Sequence, residues 1–169
     1  MKNSEIWAPT FFKHNNSFIA TVSGHYLLAC SPDLKPSFKT MIGLACDKRS
    51  VVVVNDQIGT PTSAKDLASA ILNILPNIVC KNVEIYHYSN EGTISWFDFA
   101  KEIFAQSRID CLVKPISTTD YGAAVKRPLY SVLDKRKIRN DFNIDIPSWK
   151  DSLSECLVAL GVKIDDRPR

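Results

Sequence analysis

The chain has 169 residues and a mass of 18.9 kDa, about one domain's worth of sequence. With 45% hydrophobic and 23% charged residues it can build a core under a polar surface, which excludes a disordered tail, a disulfide-knit miniprotein and a collagen-like rod. A net charge of +3 falls short of the clustered charge of a nucleic-acid binder, so no nucleic-acid partner is expected.

Taken in chain order, Phe18–Val22 and His25–Cys30 read as strands separated by Ser23-Gly24, and residues 37–47 as a helix. Residues 50–54, SVVVV, have the composition of a buried strand. The loop NDQIGTPT leads into SAKDLASAILNIL, whose apolar residues at 67, 71, 72 and 75 are spaced as on a helix that Pro76 stops. Val83–Tyr88 reads as a strand, residues 95–107 as a helix and Cys111–Ile116 as a third short strand. A long polar and aromatic loop follows from Ser117 to Pro128. A short helix near DKRKIRNDF and a longer one in SWKDSLSECLVAL complete the order. Strand alternating with helix predicts an α/β protein with a partial parallel sheet and flanking helices. Three of the helices open with S-x-x-D (Ser63 with Asp66, Ser95 with Asp98, Ser148 with Asp151), a hydroxyl at the cap and a carboxylate at the positive end of the helix dipole.

Glycine is scarce. The six present are about half the usual ~7% share, and their spacing allows neither G-x-G-x-x-G nor G-x-x-x-x-G-K-[ST], so no phosphate-cradling turn can be written. The five cysteines are widely spaced, odd in number and set among apolar neighbours, which predicts reduced, buried thiols. The three histidines have no metal-ligand spacing, and no metal is expected. The opening residues lack the apolar core of a signal peptide, and no stretch is long and apolar enough to span a bilayer. A cytoplasmic location without membrane attachment is the expectation.

Two loops carry chemistry. Asn55–Ala68 lies at the carboxyl end of a strand, where ligands of α/β folds bind, and offers Gln57, Thr60 and Thr62 as hydrogen-bonding groups; taken by itself it reads first as an ordinary strand-to-helix connection. Thr118–Asp134 is long for a structureless connection. It presents Arg127, a planar fork suited to phosphate, beside Lys126. Lys126, Arg127, Lys135, Arg136, Lys137 and Arg139, opposed only by Asp134, read with equal weight as a solvated face or an anion site.

DQIGTPTSAKDLA, IYHYSNEGTISWFDFA, KRPLYSVLDKRKI and FNIDIPSWKDSL occur in that order and closely resemble the C-terminal half of the dTDP-4-dehydrorhamnose reductases, extended short-chain dehydrogenases/reductases. The resemblance implies the C-terminal part of an extended Rossmann-type fold. Residues 37–169 would hold the remnant of the sheet and a small substrate-binding lobe, and residues 1–36 a poorly matching segment. It implies a dTDP-sugar as ligand, with Arg127 at the nucleotide diphosphate and Lys126, Gln57, Thr60 and Thr62 in the same site. It also implies NADPH as the reductant of dTDP-4-dehydro-L-rhamnose. The departures matter as much. Four residues after the five tyrosines stand Cys30, Asn90, Gly92, Val125 and Asp134, so the family's Tyr-x-x-x-Lys pair is absent, as is its glycine-rich cofactor loop. The expectation is a truncated reductase, inactive alone, with a nucleotide-sugar-binding or regulatory module as the alternative. A sheet edge left bare would favour self-association.

Overall fold

The computed structural model describes residues 10–14, 17–21, 27–28, 37–78, 84–123 and 127–162. The elements in order are β1 (Thr10–His14), β2 (Ser17–Thr21), β3 (Leu27–Leu28), α1 (Ser37–Asp47), β4 (Ser50–Val54), β5 (Ile58–Gly59), β6 (Thr62–Ser63) and α2 (Ala64–Ile74). A 3-10 turn at Leu75–Asn77 follows, then β7 (Ile85–His87), β8 (Ile94–Ser95), α3 (Trp96–Ser107), β9 (Leu112–Ile116), α4 (Thr118–Tyr121), α5 (Arg136–Phe142) and α6 (Trp149–Ala159).

Strand β4 pairs in parallel with β9, from Ser50 opposite Leu112 to Val54 opposite Ile116, and β3 pairs in parallel with β6. The α/β class with a partial parallel sheet is therefore observed. An antiparallel sheet in the order β2-β1-β7 accompanies it. Strand β1 and helix α4 are absent from the sequence reading. Of the strand read at Val83–Tyr88, Ile85–His87 pairs and Glu84 and Tyr88 do not, while Val83 lies outside the described residues.

Helix α3 lies across β4 and β9 and packs against α1 and α6. The core between them holds Val51, Phe99, Ile103, Trp149, Leu153 and Leu157. Phe99 meets Trp96 and Trp149 edge-on, with ring centroids 6.1 and 5.7 Å apart, a geometry that places ring edge against ring face. A second cluster joins Leu67, Ala70 and Ile74 of α2 to Tyr88, Ile138 and Ile146.

Two details correct the periodicity. On α2 the inward stripe is Leu67, Ala70 and Ile74, with Ile71 half-buried, whereas Leu72 and Leu75 are 67% and 42% exposed. Counting i, i+3, i+4 and i+7 from Leu67 gives 67, 70, 71 and 74, so 72 and 75 lie round the helix on its outer side. On β4, Val51 is buried but Val52 is 51% exposed, so the strand is covered on one face only.

Ser63 and Ser95 cap their helices as the S-x-x-D pattern predicts, accepting from the amides of Asp66 (3.2 Å) and Asp98 (3.0 Å). Ser148 departs from it by accepting from Lys150 N, one residue earlier, at 3.3 Å. The cysteines also depart: Cys156 is disulfide-bonded, while Cys46 and Cys111 are free and not buried. Sequence spacing does not report which sulfurs the fold brings together.

Candidate functional site

The two loops singled out in the sequence are joined in space. Leaving β4, the backbone of Ile58 donates to Leu129 O at 2.8 Å and accepts from Ser131 N at 2.9 Å, so Ile58 and Tyr130 form a parallel bridge. On its other side Ile58 pairs with Ser95 across the β5–β8 ladder. The first loop is thus a short ribbon, held on both edges, and the segment Arg127–Ser131 is fastened to one of them.

The polar side chains of this ribbon face inward. Gln57, Thr60 and Thr62 are all buried. Gln57 Nε2 donates to Thr118 Oγ1 at 3.0 Å, and Thr60 Oγ1 donates to Gly92 O at 2.8 Å. Asp56 accepts from Thr118 twice over, from Oγ1 at 2.6 Å and from the backbone N–H at 2.9 Å. Those two bonds, the side-chain one foremost, hold the Asp56 carboxyl below its ordinary range. Thr118 opens α4, whose cap is Ser117, accepting from Asp120 N at 3.1 Å. This is a fourth S-x-x-D, and the same signal that marked the other helices would have marked this one.

Asn90 ties the ribbon to the rest of the lobe. It is fully buried, and its Oδ1 accepts from Ser63 N at 2.7 Å while Nδ2 donates to Asp66 Oδ2 at 2.6 Å and Ser152 Oγ at 2.9 Å. Gly92, two residues on, has φ +100°, and a Cβ there would stand 2.7 Å from Trp149 Cδ1 and Nε1. Only glycine fits that backbone and that contact.

The basic cluster separates into two kinds of residue. Lys135, 9% exposed, donates to Asn90 O at 2.8 Å and lies 2.6 Å from Glu91 Oε1, which Arg139 approaches at 2.8 Å; neither cation meets that oxygen along a hydrogen-bonding direction. Arg136 pairs with Asp134, holding that carboxyl down at about 2. Lys137 pairs with Glu84. Glu84 and Glu91 come from elsewhere in the chain, which is why sequence proximity showed only Asp134 as an opposing charge. Arg127 differs: it is exposed and makes no ion pair or hydrogen bond among the described residues. Lys126 lies outside the described residues.

A dinucleotide does not fit the strand-to-helix turn that is present. Its pyrophosphate would need free amides at a glycine-rich helix start. At α2 the Ser63 amide is already given to Asn90 Oδ1 and the Asp66 amide to Ser63 Oγ. Among the described residues no group of three or more His, Cys, Asp or Glu side chains is placed to hold a metal ion, and no helix is long and apolar enough to cross a membrane.

The family model of the RmlD substrate binding domain matches residues 32–162. The chain belongs to this family. Among curated relatives, the chain is 39% identical to the spore coat polysaccharide biosynthesis protein SpsK of Bacillus subtilis over 119 residues, 70% of this chain and 40% of that protein. It is 40% identical to the dTDP-4-dehydrorhamnose reductase of Aggregatibacter actinomycetemcomitans over 124 residues, 68% of this chain and 42% of that enzyme. Of solved structures, the reductase from Bacillus anthracis in complex with NADP superposes with a TM-score of 0.72 at 34% identity, over 79% of this chain and 46% of that one. The orthologue from Clostridium acetobutylicum gives 0.70 at 36% identity, over 80% and 46%. The chain therefore spans about two-fifths of the length of these curated relatives.

Proposed function

We propose that this chain is the nucleotide-sugar-binding part of a dTDP-4-dehydrorhamnose reductase-type site, holding a dTDP-sugar through its diphosphate. One observation carries the reading. Arg127 is the described member of the basic cluster left unpaired, and it stands on a segment fastened to the ribbon at Ile58. A guanidinium so placed suits a diphosphate, whose oxygens match its fork. Lys126, its neighbour in sequence, supplies a second charge. Gln57, Thr60 and Thr62 serve the same site by shaping the ribbon, since their hydroxyl and amide groups sit inside the lobe.

In this reading residues 37–169 hold the remnant of the sheet and the substrate-binding lobe, and residues 1–36 are an N-terminal segment whose β1 and β3 pair with β7 and β6. NADPH-dependent reduction of dTDP-4-dehydro-L-rhamnose is the reaction the lobe serves, in the cytoplasm. The groups that would perform it are not among these 169 residues, which contain neither a Tyr-x-x-x-Lys pair nor a glycine-rich cofactor turn. Alone, the chain binds and does not reduce.

Calorimetric titration of the chain with dTDP is expected to give saturable heat, and Arg127→Ala to weaken binding by about tenfold or more, the worth of a charge-assisted hydrogen bond. Absence of heat would remove the binding reading. NADPH mixed with the keto-sugar and this chain is expected to stay unoxidised, and measurable turnover would place the catalytic groups inside it.

A further inference from the structure

A second polar concavity lies beside the first loop and shares only Asp66 with the two loops. A cavity of about 450 Å³ opens between α2, the residue after β7 and the connection from α5 to α6, a volume suited to a small molecule. Its wall includes the carboxylates of Asp66 and Asp145, the carboxamides of Asn73 and Asn143, the Tyr88 phenol and the Phe142 ring, and no Lys, Arg or His.

Tyr88 is the observation that points to a ligand. The residue is 1% exposed and lines this cavity, yet its hydroxyl makes no hydrogen bond among the described residues. Polar groups inside folded proteins nearly always have a protein or water partner, and the Tyr88 oxygen is open to the cavity rather than sealed in the core. Burial first, and then the charges of Asp66 and Glu91, push this phenol above its ordinary range, so it stays protonated and sits in a negative potential.

The wall selects among ligand classes. An anion meets two carboxylates with no lining cation to offset them. A neutral polyol finds hydrogen-bonding groups but gains nothing from the carboxylate charge. A small ammonium gains from both carboxylates and donates N–H bonds. Its methylenes rest on Phe142 and Ile144, with an aromatic face near the cation. We propose that this cavity binds a small organic ammonium ion, a primary amine or short diamine, with Asp66 and Asp145 as counter-ions and the Tyr88 oxygen accepting from the ammonium group.

The test is titration of the full chain with 1,4-diaminobutane, using 1,4-butanediol as the neutral probe of equal length. The diamine is expected to give saturable heat and the diol none. Asp145→Asn and Tyr88→Phe should each weaken diamine binding by about tenfold, and raising salt to about 0.5 M should weaken it further by screening. Asp145 is exposed and Tyr88→Phe keeps the ring, so both variants should retain the parent's thermal transition, which the same samples report. The proposal is overturned if the diamine gives no saturable heat, if the diol binds as well as the diamine, or if both variants bind like the parent.

Discussion

Asn90 spends the hydrogen-bonding capacity of its side chain on three parts of the lobe: the cap of α2, the carboxylate at that helix's first turn and Ser152 of α6. Replacing it with alanine leaves the buried Ser63 amide and the half-buried Asp66 carboxylate without this partner. Asn90→Ala is expected to lower stability to urea by about 3 kcal/mol; a loss below about 1 kcal/mol would contradict the role. Asp56 acts at the same scale. Its carboxyl is held low by Thr118, so the folded state binds that proton less readily than the unfolded chain does. The stability it contributes is present above the ordinary carboxylate value of 3.8 and is lost as pH falls below it. Asp56→Asn should flatten the fall in stability below about pH 4 relative to the parent, measured by urea midpoints across that range. An unchanged slope would show that Asp56 is not the group responsible.

At the scale of elements, the helix starts behave alike for a local reason. A serine hydroxyl answers an amide that the helix cannot satisfy itself, and this needs only residues three or four apart. Ser63→Ala is expected to cost about 1 kcal/mol, read from the shift in the urea midpoint at constant slope. Because Ser63 N also bonds Asn90, this loss and that of Asn90→Ala should not add, and strict additivity in the double variant would separate the two features. Other boundaries are legible from composition and periodicity alone: the sequence places a helix at residues 37–47 and a strand at 50–54, the bounds of α1 and β4. Helix α4 escaped because four residues are too few to show a period, although its Ser117–Asp120 cap was written in the sequence.

For the whole molecule, the parallel pair β4–β9 leaves apolar surface in water. Val52 is 51% exposed and Leu112 is 60% exposed, residues of a kind usually covered in parallel sheets. Self-association of the isolated chain is therefore expected, seen by light scattering as a mass that rises with concentration. A monodisperse monomer across a wide concentration range would show that this face is tolerated. The cavity under Tyr88 and the loop carrying Arg127 are likewise properties of the assembled lobe, since each draws its wall or its support from segments far apart in the chain.

The sequence by itself determined the α/β class, the helix caps and the family resemblance, because these rest on short-range periodicity and on motifs kept in order along the chain. It also determined that no glycine-rich turn is present, a matter of composition and spacing. The tertiary structure alone decided which polar residues are spent inside the lobe and which stay exposed. Gln57, Thr60 and Thr62 looked equivalent to Arg127 as hydrogen-bonding groups, yet the fold buries all three, Gln57 on Thr118 and Thr60 on Gly92, and leaves the guanidinium outside. Lys135 and Arg139 looked like Arg127's partners, yet Glu91, more than 40 residues earlier, takes their charge. Whether a polar group is spent or available depends on its neighbours in space, and those are set by how the elements pack.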